Sequence, residues 1–170
     1  MATKLKRKSA FKSTSKSKSK PTDAIALLKA DHRQVEEWFS EFEKTKSQPK
    51  RQRLATSICN ALTVHTMIEE EIFYPAFIEA TGDKDIHHEA IIEHDAAKTL
   101  IAEIEDSATG DDYYAAKVKV LSEMIKHHVK EEEQAGGMFA EAKHSEMDLV
   151  ELGERMLARK HQLQAESEAA

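Results

Sequence analysis

The sequence predicts an all-α protein, an up-down-up-down four-helix bundle. Glycine and proline are scarce, with 5 glycines and 3 prolines in 170 residues, and only 6% of the residues are aromatic. Alanine, leucine, isoleucine, glutamate and lysine, which favour helices, dominate the composition. Apolar residues recur at helical spacing, and no strand-like alternation competes with them. Short loops between long helices favour antiparallel neighbours, which is the arrangement of a bundle.

The first 20 residues differ in composition from the rest of the chain. Eight of the 25 lysines and arginines lie there, interleaved with serines, whereas all 31 aspartates and glutamates follow later. Such a segment buries too little apolar surface to fold alone, so we expect a disordered basic tail over residues 1–20. Three roles are open for this tail. It is a solvated segment that lies on its own acidic domain, a segment that binds nucleic acid or another polyanion, or a targeting peptide.

Four long helices are expected within a bundle domain over residues 21–140. Thr22 or Asp23 caps the first helix, and Pro75 either kinks the second or begins a separate last turn. Gly82 ends the second helix, because glycine readily adopts the left-handed conformation. From helical spacing and turn residues, the expected spans are about 23–46, 50–80, 84–105 and 111–134.

A C-terminal helical extension is expected over residues 141–170. The segment 138–144 is predicted to be a short turn, and residues 145–148 resemble a capping box that starts a last helix. One side of that helix is apolar and carries Leu149, Leu152, Met156 and Leu157. We expect this side to pack on the bundle or on a partner, and the sequence leaves the oligomeric state open.

One pattern occurs twice in the bundle, a histidine followed four residues later by a glutamate. His65 and Glu69 form the first pair, and His128 and Glu132 form the second. On a helix this spacing places both side chains on one face, about 5–6 Å apart at Cβ, so both can reach one metal ion. Two such helices facing each other make a cage for two metal ions.

Two more histidines lie on the apolar stripes of the remaining helices. His32 continues the stripe of Ile25 and Leu28, and His94 continues that of Ile91. Burying four imidazoles and two carboxylates without a metal would cost several kcal/mol through desolvation. We therefore predict metal binding by His32, His65, Glu69, His94, His128 and Glu132.

Neighbouring polar residues are expected to have lesser roles. His127 lies on an adjacent face of its helix and is predicted to flank the site. Glu36, one turn after His32, is either an additional ligand or a solvated residue. Tyr74 either lines the site or packs in the core, and core packing is the role that we expect. The following carboxylates either orient the ligands or face solvent: Glu70, Glu71, Glu131 and Glu133.

Several classes of protein find no support in the sequence. The single cysteine, Cys59, excludes an intramolecular disulfide and is expected to be a buried thiol. No stretch reaches the roughly 18–20 apolar residues that span a bilayer, and an apolar signal region is missing, so we expect a cytoplasmic protein. Hydrolase, kinase and dithiol motifs are lacking as well.

The segments around the predicted ligands resemble those of a known family. They are Asp31-His32, His65 to Pro75, Glu93-His94 and His128 to Glu133. Through them, residues from about Asp23 to Phe139 resemble the hemerythrin-like, or HHE cation-binding, family. The resemblance implies a non-haem di-iron centre in a four-helix bundle, with histidines as terminal ligands and Glu69 and Glu132 as bridges. Zinc or manganese can occupy the same cage.

The resemblance also implies a choice of functions. Oxygen-carrying hemerythrins have a further histidine one turn before the third-helix ligand, where this chain has Ala90 and Ile91, which cannot coordinate. We expect a protein that binds or senses oxygen or a related species such as nitric oxide or peroxide. One alternative is an enzyme, either a ferroxidase or a peroxide-consuming di-iron oxidase. Another is a stress protein that the basic tail tethers to DNA.

Overall fold

In the computed structural model, which describes residues 23–169, every regular element is a helix. The long helices are α1 (Ala24–Lys44), α2 (Gln48–Ile68), α4 (Lys84–Glu105), α5 (Tyr114–Glu133) and α7 (Leu149–Ala169). The shorter elements are a π segment (Glu69–Phe73), α3 (Tyr74–Thr81) and α6 (Met138–His144). The predicted all-α class is confirmed, and the basic tail over residues 1–20 lies outside the described residues.

Helices α1, α2, α4 and α5 form the predicted bundle. Helix α1 packs on α2 and α4 packs on α5, while contacts of α1 with α5 and of α2 with α4 close the ring. Helix α7 lies across α1, α2 and the π segment, so the C-terminal extension packs on the bundle. Among the described helices, none combines the length and apolar character that a membrane span requires.

Side-chain caps explain where the helices begin. Asp23 caps α1, because its Oδ1 accepts a hydrogen bond of 2.8 Å from the Ala26 N–H. Helix α4 has the predicted bounds. Helix α5 starts at Tyr114, later than predicted, because Asp111 Oδ1 accepts from the Tyr113 N–H at 2.7 Å and holds a turn there.

The predicted second helix is divided into three elements. Instead of a kink at Pro75, the π segment follows α2, and the Tyr74 N–H donates to the Glu69 carbonyl five residues earlier. Pro75 then lies in the first turn of α3, where its missing N–H leaves no hydrogen bond unmade. Gly82 ends α3 with a φ of 71°, as predicted. Single π turns inside helices are frequent at functional sites.

The C-terminal region also differs from the prediction. Residues 138–144 form helix α6 rather than a turn. The last helix begins at Leu149, because Asp148 Oδ1 accepts from the N–H groups of Val150 and Glu151, at 3.2 and 2.9 Å.

Two apolar clusters occupy the bundle, with a polar layer between them. The first includes Phe73, Phe77, Phe139 and Met156. The second includes Phe39, Phe42, Ile58 and Leu121. Cys59 is buried in the second cluster, and burial together with the nearby Glu105 raises the pKa of its thiol to about 12, so it is an unreactive thiol as expected.

Candidate metal centre

The polar layer contains the six residues that were predicted to bind metal. They are His32, His65, Glu69, His94, His128 and Glu132, each at most 5% exposed. Each of the four bundle helices supplies one histidine, and the carboxylates come from the π segment and from α5. Six ionisable side chains buried in one layer require partners, because unpaired charges are costly to remove from water.

The four imidazoles form two similar pairs. The Nε2 atoms of His32 and His65 are 3.1 Å apart, and those of His94 and His128 are 3.2 Å apart. In both pairs the ring centroids are 4.8 Å apart and the rings are inclined by 58°. One pair belongs to the α1–α2 hairpin and the other to the α4–α5 hairpin, so the site has an approximate two-fold symmetry.

Each buried carboxylate reaches both histidine pairs. Glu69 Oε2 is 3.2 Å from His65 Nε2 and 3.4 Å from His94 Nε2. Glu132 Oε2 is 3.4 Å from His32 Nε2, and Glu132 Oε1 is 3.6 Å from His128 Nε2. The two carboxylates therefore lie between the pairs, where they can bridge two ions.

The Nδ1 atom of every imidazole faces a further carboxylate. The pairs are His32 with Glu133 at 2.9 Å, His94 with Glu70 at 2.9 Å, His128 with Glu93 at 2.7 Å, and His65 with Asp31 at 3.5 Å. A carboxylate on Nδ1 favours the tautomer whose Nε2 lone pair points to the centre of the site. Glu70 and Glu133 thus orient histidines, which was one of their two predicted roles.

Other predicted neighbours lie away from the histidines. Glu71 binds Arg159 of α7 at 2.7 and 3.0 Å. Glu36 is engaged with Arg33 at 2.9 Å rather than with the imidazoles, so the possible ligand role for Glu36 finds no support. His127 is exposed and flanks the site, as predicted.

Tyr74 is part of the polar layer, so it lines the site, which was the less favoured of its two predicted roles. The side chain is fully buried, and its Oη lies 3.1 Å from His94 Nε2 and 3.3 Å from Glu132 Oε1. On a regular α-helix Tyr74 would point about 140° away from Glu69, five residues earlier. The wider π segment brings both onto one side, and Pro75 was the only sequence signal of that irregularity.

The two halves of the site differ at this position. Phe139 stacks on His32, with centroids 5.8 Å apart and planes 8° apart, much as Tyr74 stacks on His94 at 5.4 Å. The phenylalanine ring brings no oxygen to its half. His87 is half-buried and meets Tyr74 edge-on, with ring centroids 5.8 Å apart.

One imidazole of each pair holds a proton tightly. Burial lowers the pKa of His65, but the charges of Glu69 and Asp31 outweigh it and raise that pKa to about 10. Burial also lowers the pKa of His128, but the charge of Glu132 outweighs burial and the pKa rises to about 9. The other imidazole of each pair has a lowered pKa, since burial and its charged neighbour disfavour a second proton. A metal ion bound at Nε2 must displace these protons.

The chemistry of these residues fits a metal ion. Both oxygens of Glu69 and Oε2 of Glu132 are buried without a hydrogen-bond donor in the described part of the chain. An unsatisfied buried acceptor costs about 1–3 kcal/mol, and a charged one more, so a cation between these oxygens would remove a real penalty. Glu69 joins each histidine pair into a group of three ligand atoms that lie within 4.8 Å of one another.

Several cavities adjoin the site, among them one of about 220 Å³ against His94 and His128. A cavity of about 20 Å³ lies against all four imidazoles. Its apolar wall consists of Val35, Leu62, Ile125 and Val129. Another cavity, of about 120 Å³, lies against His128 and Glu132.

Comparisons with known proteins agree with this architecture. The fold is similar to a crystal structure of a hemerythrin HHE cation-binding domain-containing protein from Mycobacterium kansasii, with a TM-score of 0.70, 21% identity, and coverage of 85% of this chain and 88% of the other. A DNA nickase from Nostoc sp. (strain PCC 7120) is 27% identical over 107 residues, which are 63% of this chain and only 30% of that protein. The hemerythrin HHE cation binding domain matches residues 23–139. This chain therefore belongs to the hemerythrin HHE cation-binding domain family.

Proposed function

We propose that this chain is a non-haem di-iron protein that binds or senses dioxygen or a related small species, such as nitric oxide or peroxide. In this proposal His32 and His65 hold one ion, His94 and His128 hold the other, and Glu69 and Glu132 bridge them. The observation that carries the proposal is the pair of buried, unsatisfied carboxylates set between two imidazole pairs. Without a metal, the protons on His65 and His128 supply the positive charge beside these carboxylates, and a metal ion at the Nε2 atoms would replace them.

The half-site of His94 and His128 has one more donor within reach. The Tyr74 Oη lies 3.1 Å from His94 Nε2 and 3.3 Å from Glu132 Oε1. Ligand atoms at right angles on an ion, with bonds of about 2.1 Å, are about 3 Å apart. This spacing supports Tyr74 as an oxygen ligand of that ion, in place of the further histidine that Ala90 cannot provide.

Iron is compatible with the donor set. Imidazole and carboxylate ligands suit iron, zinc and manganese, so the ligands alone do not select among them. Iron in such a set, with a coordination position left open, supplies redox chemistry and affinity for oxygen species. At the half-site of His32 and His65, Phe139 adds no ligand, and this leaves such a position open.

The cavity that touches all four imidazoles is small, and this favours a small ligand there. About 10–15 Å³ is needed to hold one water molecule, and the cavity beside the imidazoles has about 20 Å³. This space is sufficient for a diatomic molecule or peroxide but too small for an organic substrate. The aliphatic walls formed by Val35 and Leu62 favour an uncharged ligand.

The first experiment is metal analysis with an optical spectrum of protein from iron-supplemented cells. We expect about two irons per chain and near-ultraviolet bands typical of bridged ferric iron. The variant His65→Ala/His128→Ala should lose both, whereas His144→Ala/His161→Ala, which removes two exposed histidines, should keep both. Iron content that the first variant leaves unchanged would contradict the proposal.

An enzymatic role for the same site is the second candidate. The open position at the half-site beside Phe139 would equally serve a ferroxidase or a peroxide-consuming oxidase. Repeated consumption of peroxide or ferrous iron, many equivalents per protein, would establish the enzyme. Reaction that stops after about one equivalent per site would establish the binder or sensor.

Attachment to DNA is the third candidate. The tail over residues 1–20 has eight basic residues and no acidic one, which suits contacts with phosphates, and one relative is a DNA nickase. Deletion of residues 1–20 should abolish salt-sensitive retention on DNA while the iron content is unchanged. Retention that survives this deletion would contradict the candidate.

A further inference from the structure

We propose that divalent cations reach the buried site through the cavity between α4 and the α5–α6 turn, guided by its carboxylates. This cavity, called the uptake cavity below, has a volume of about 120 Å³. Its polar lining includes Glu89, Glu93, His128, Glu131 and Glu132. The inference rests on the proposed function, because it assumes that the site at its inner end binds metal.

The residues of this region form a path from solvent to the site. Outermost is His127, whose side chain is 60% exposed, followed by Glu131 at 31% and Glu93 at 22%. Innermost are His128 at 6% and Glu132 at 3%. Every step along this path offers an imidazole nitrogen or a carboxylate oxygen, which are ligands for divalent cations.

Glu93 connects the exposed end with the buried end. Its Oε2 accepts from His128 Nδ1 at 2.7 Å, and its Oε1 lies 3.5 Å from His127 Nε2. His127 Nε2 also lies 3.1 Å from Glu131 Oε1. Glu93, His127 and Glu131 present three ligand atoms within 4.8 Å of one another, so a cation can bind there before it moves inward.

The inner end of the cavity has an unsatisfied acceptor. Glu132 lines the cavity while it is almost completely buried, and its Oε2 has no hydrogen-bond donor among the described residues. This carboxylate is a proposed bridging ligand, so a cation that reaches it has arrived at the site. The cavity therefore ends at a carboxylate oxygen that a metal ion can occupy.

The charges around the four outer carboxylates single out this side of the bundle. Three of those carboxylates are neutralised by basic side chains: Asp31 by Lys160, Glu70 by Lys98, and Glu133 by Lys29 and Arg33. Within residues 23–169, Glu93 forms ion pairs with His127 and His128 but with no lysine or arginine. Glu89 and Glu131 add negative charge beside it. A cleft lined by one sign of charge concentrates counterions and raises association rates about 10- to 1,000-fold.

The test is the rate at which metal-free protein takes up ferrous iron, followed by stopped-flow absorbance, with final iron content measured separately. We expect His127→Gln/Glu131→Gln to load about tenfold more slowly than the unchanged protein and to reach the same iron content. Glu89→Lys, which reverses an exposed charge without touching a proposed ligand, should slow loading as well. Glu123→Gln removes an exposed carboxylate from α5, the helix that carries His127 and Glu131. This variant is the matched control and should load at the unchanged rate.

The outcomes separate this inference from the function on which it rests. Loading of both variants at the unchanged rate would overturn the uptake route and leave the di-iron proposal intact. A reduced final iron content without a slower rate would overturn it too, since these residues would then support the site rather than the path. Failure of the unchanged protein to bind iron would overturn both proposals. Thermal unfolding of each variant verifies that the bundle is intact.

Discussion

Each imidazole of the site lies between two carboxylates, an inner one at Nε2 and an outer one at Nδ1. The outer carboxylate determines the tautomer, and hence whether the Nε2 lone pair is available to a metal. Glu70 shows the arrangement clearly, because it accepts from His94 Nδ1 at 2.9 Å and from Lys98 Nζ at 2.6 and 2.7 Å. A side chain that is not a ligand can thereby control metal affinity.

We predict that Glu70→Ala lowers metal affinity about 10- to 100-fold, because His94 loses the partner that orients it. Competition with a chelator of known affinity measures this change. Glu71→Ala is the matched control, since Glu71 is the adjacent residue but binds Arg159 outside the site. Equal affinities of the two variants would show that the outer carboxylate does not act through the imidazole.

Tyr74 allows a spectroscopic prediction. If its oxygen binds ferric iron, the protein should show a visible phenolate-to-iron absorption band, and Tyr74→Phe should lose that band while keeping about two irons per chain. The fold should survive, because the substitution removes one hydroxyl and retains the buried ring. A spectrum identical in both proteins would mean that Tyr74 only donates a hydrogen bond to Glu132.

The sequence was sufficient to predict that the six proposed ligands face inward together, but it did not predict their surroundings. A histidine such as His32 lies on an apolar stripe of its own helix, and helical spacing alone places it inward. The approach of Glu93 to His128 joins residues 35 apart, and no local pattern encodes it. Core packing was the favoured prediction for Tyr74, because the direction of its side chain depends on one irregular turn.

At the scale of elements, the turn between α5 and α6 holds the end of the helix that carries Glu132. A Cβ on Gly137 would lie 2.0 Å from the Glu131 carbonyl oxygen and 3.0 Å from that of Glu132. These atoms are backbone and cannot move without displacing the last turn of α5. Glycine is therefore required at position 137 because these carbonyl oxygens leave no space for a Cβ, and not because of the backbone φ angle.

We predict that Gly137→Ala destabilises the protein by about 1–3 kcal/mol and reduces iron content, because overpacking displaces the end of α5. Denaturant unfolding and metal analysis measure the two effects. Gly110→Ala is the matched control, since a Cβ there meets nothing within 4 Å. Similar stability of both variants would show that the turn adapts without moving the helix.

Elements with local end signals were predicted best. Helix α4 matched its expected bounds because Asp83 caps its first turn, with Oδ1 accepting from two backbone N–H groups. The π segment could not be predicted from local sequence. Its widened turn has unfavourable backbone geometry, and only the contacts of Glu69 and Tyr74 with other helices offset that cost. Helix α6 is short, and its burial against the bundle outweighs its weak local propensity.

At the scale of the whole molecule, the buried protons make the stability of the metal-free protein depend on pH. Folding raises the pKa of His65 to about 10 and that of His128 to about 9, from 6.5, against burial and through the neighbouring carboxylates. The stability that these protons contribute is complete below about pH 6.5 and is lost as the pH rises through 9–10. Burial and Glu69 raise the pKa of Glu132 to about 8, which acts in the same direction.

We therefore predict that the chelator-treated protein unfolds at a lower temperature at pH 9 than at pH 6.5. Bound metal replaces the protons, so the iron-loaded protein should show a smaller decrease and a higher midpoint at both pH values. Calorimetry on both forms provides the measurement. A metal-free protein that is more stable at pH 9 would mean that His65 and His128 are neutral in the fold.

If the site holds two ions, as we propose, the crossing of the two carboxylates between the hairpins has a consequence for how those ions bind together. Glu69 belongs to the first hairpin but reaches His94, and Glu132 belongs to the second but reaches His32. The first ion to bind must therefore draw in both carboxylates, and it bears most of the entropy cost of ordering the layer. The second ion finds that order already established and binds more tightly, which is positive cooperativity. Titration with limiting metal should accordingly yield empty and doubly loaded chains, with few that carry a single ion.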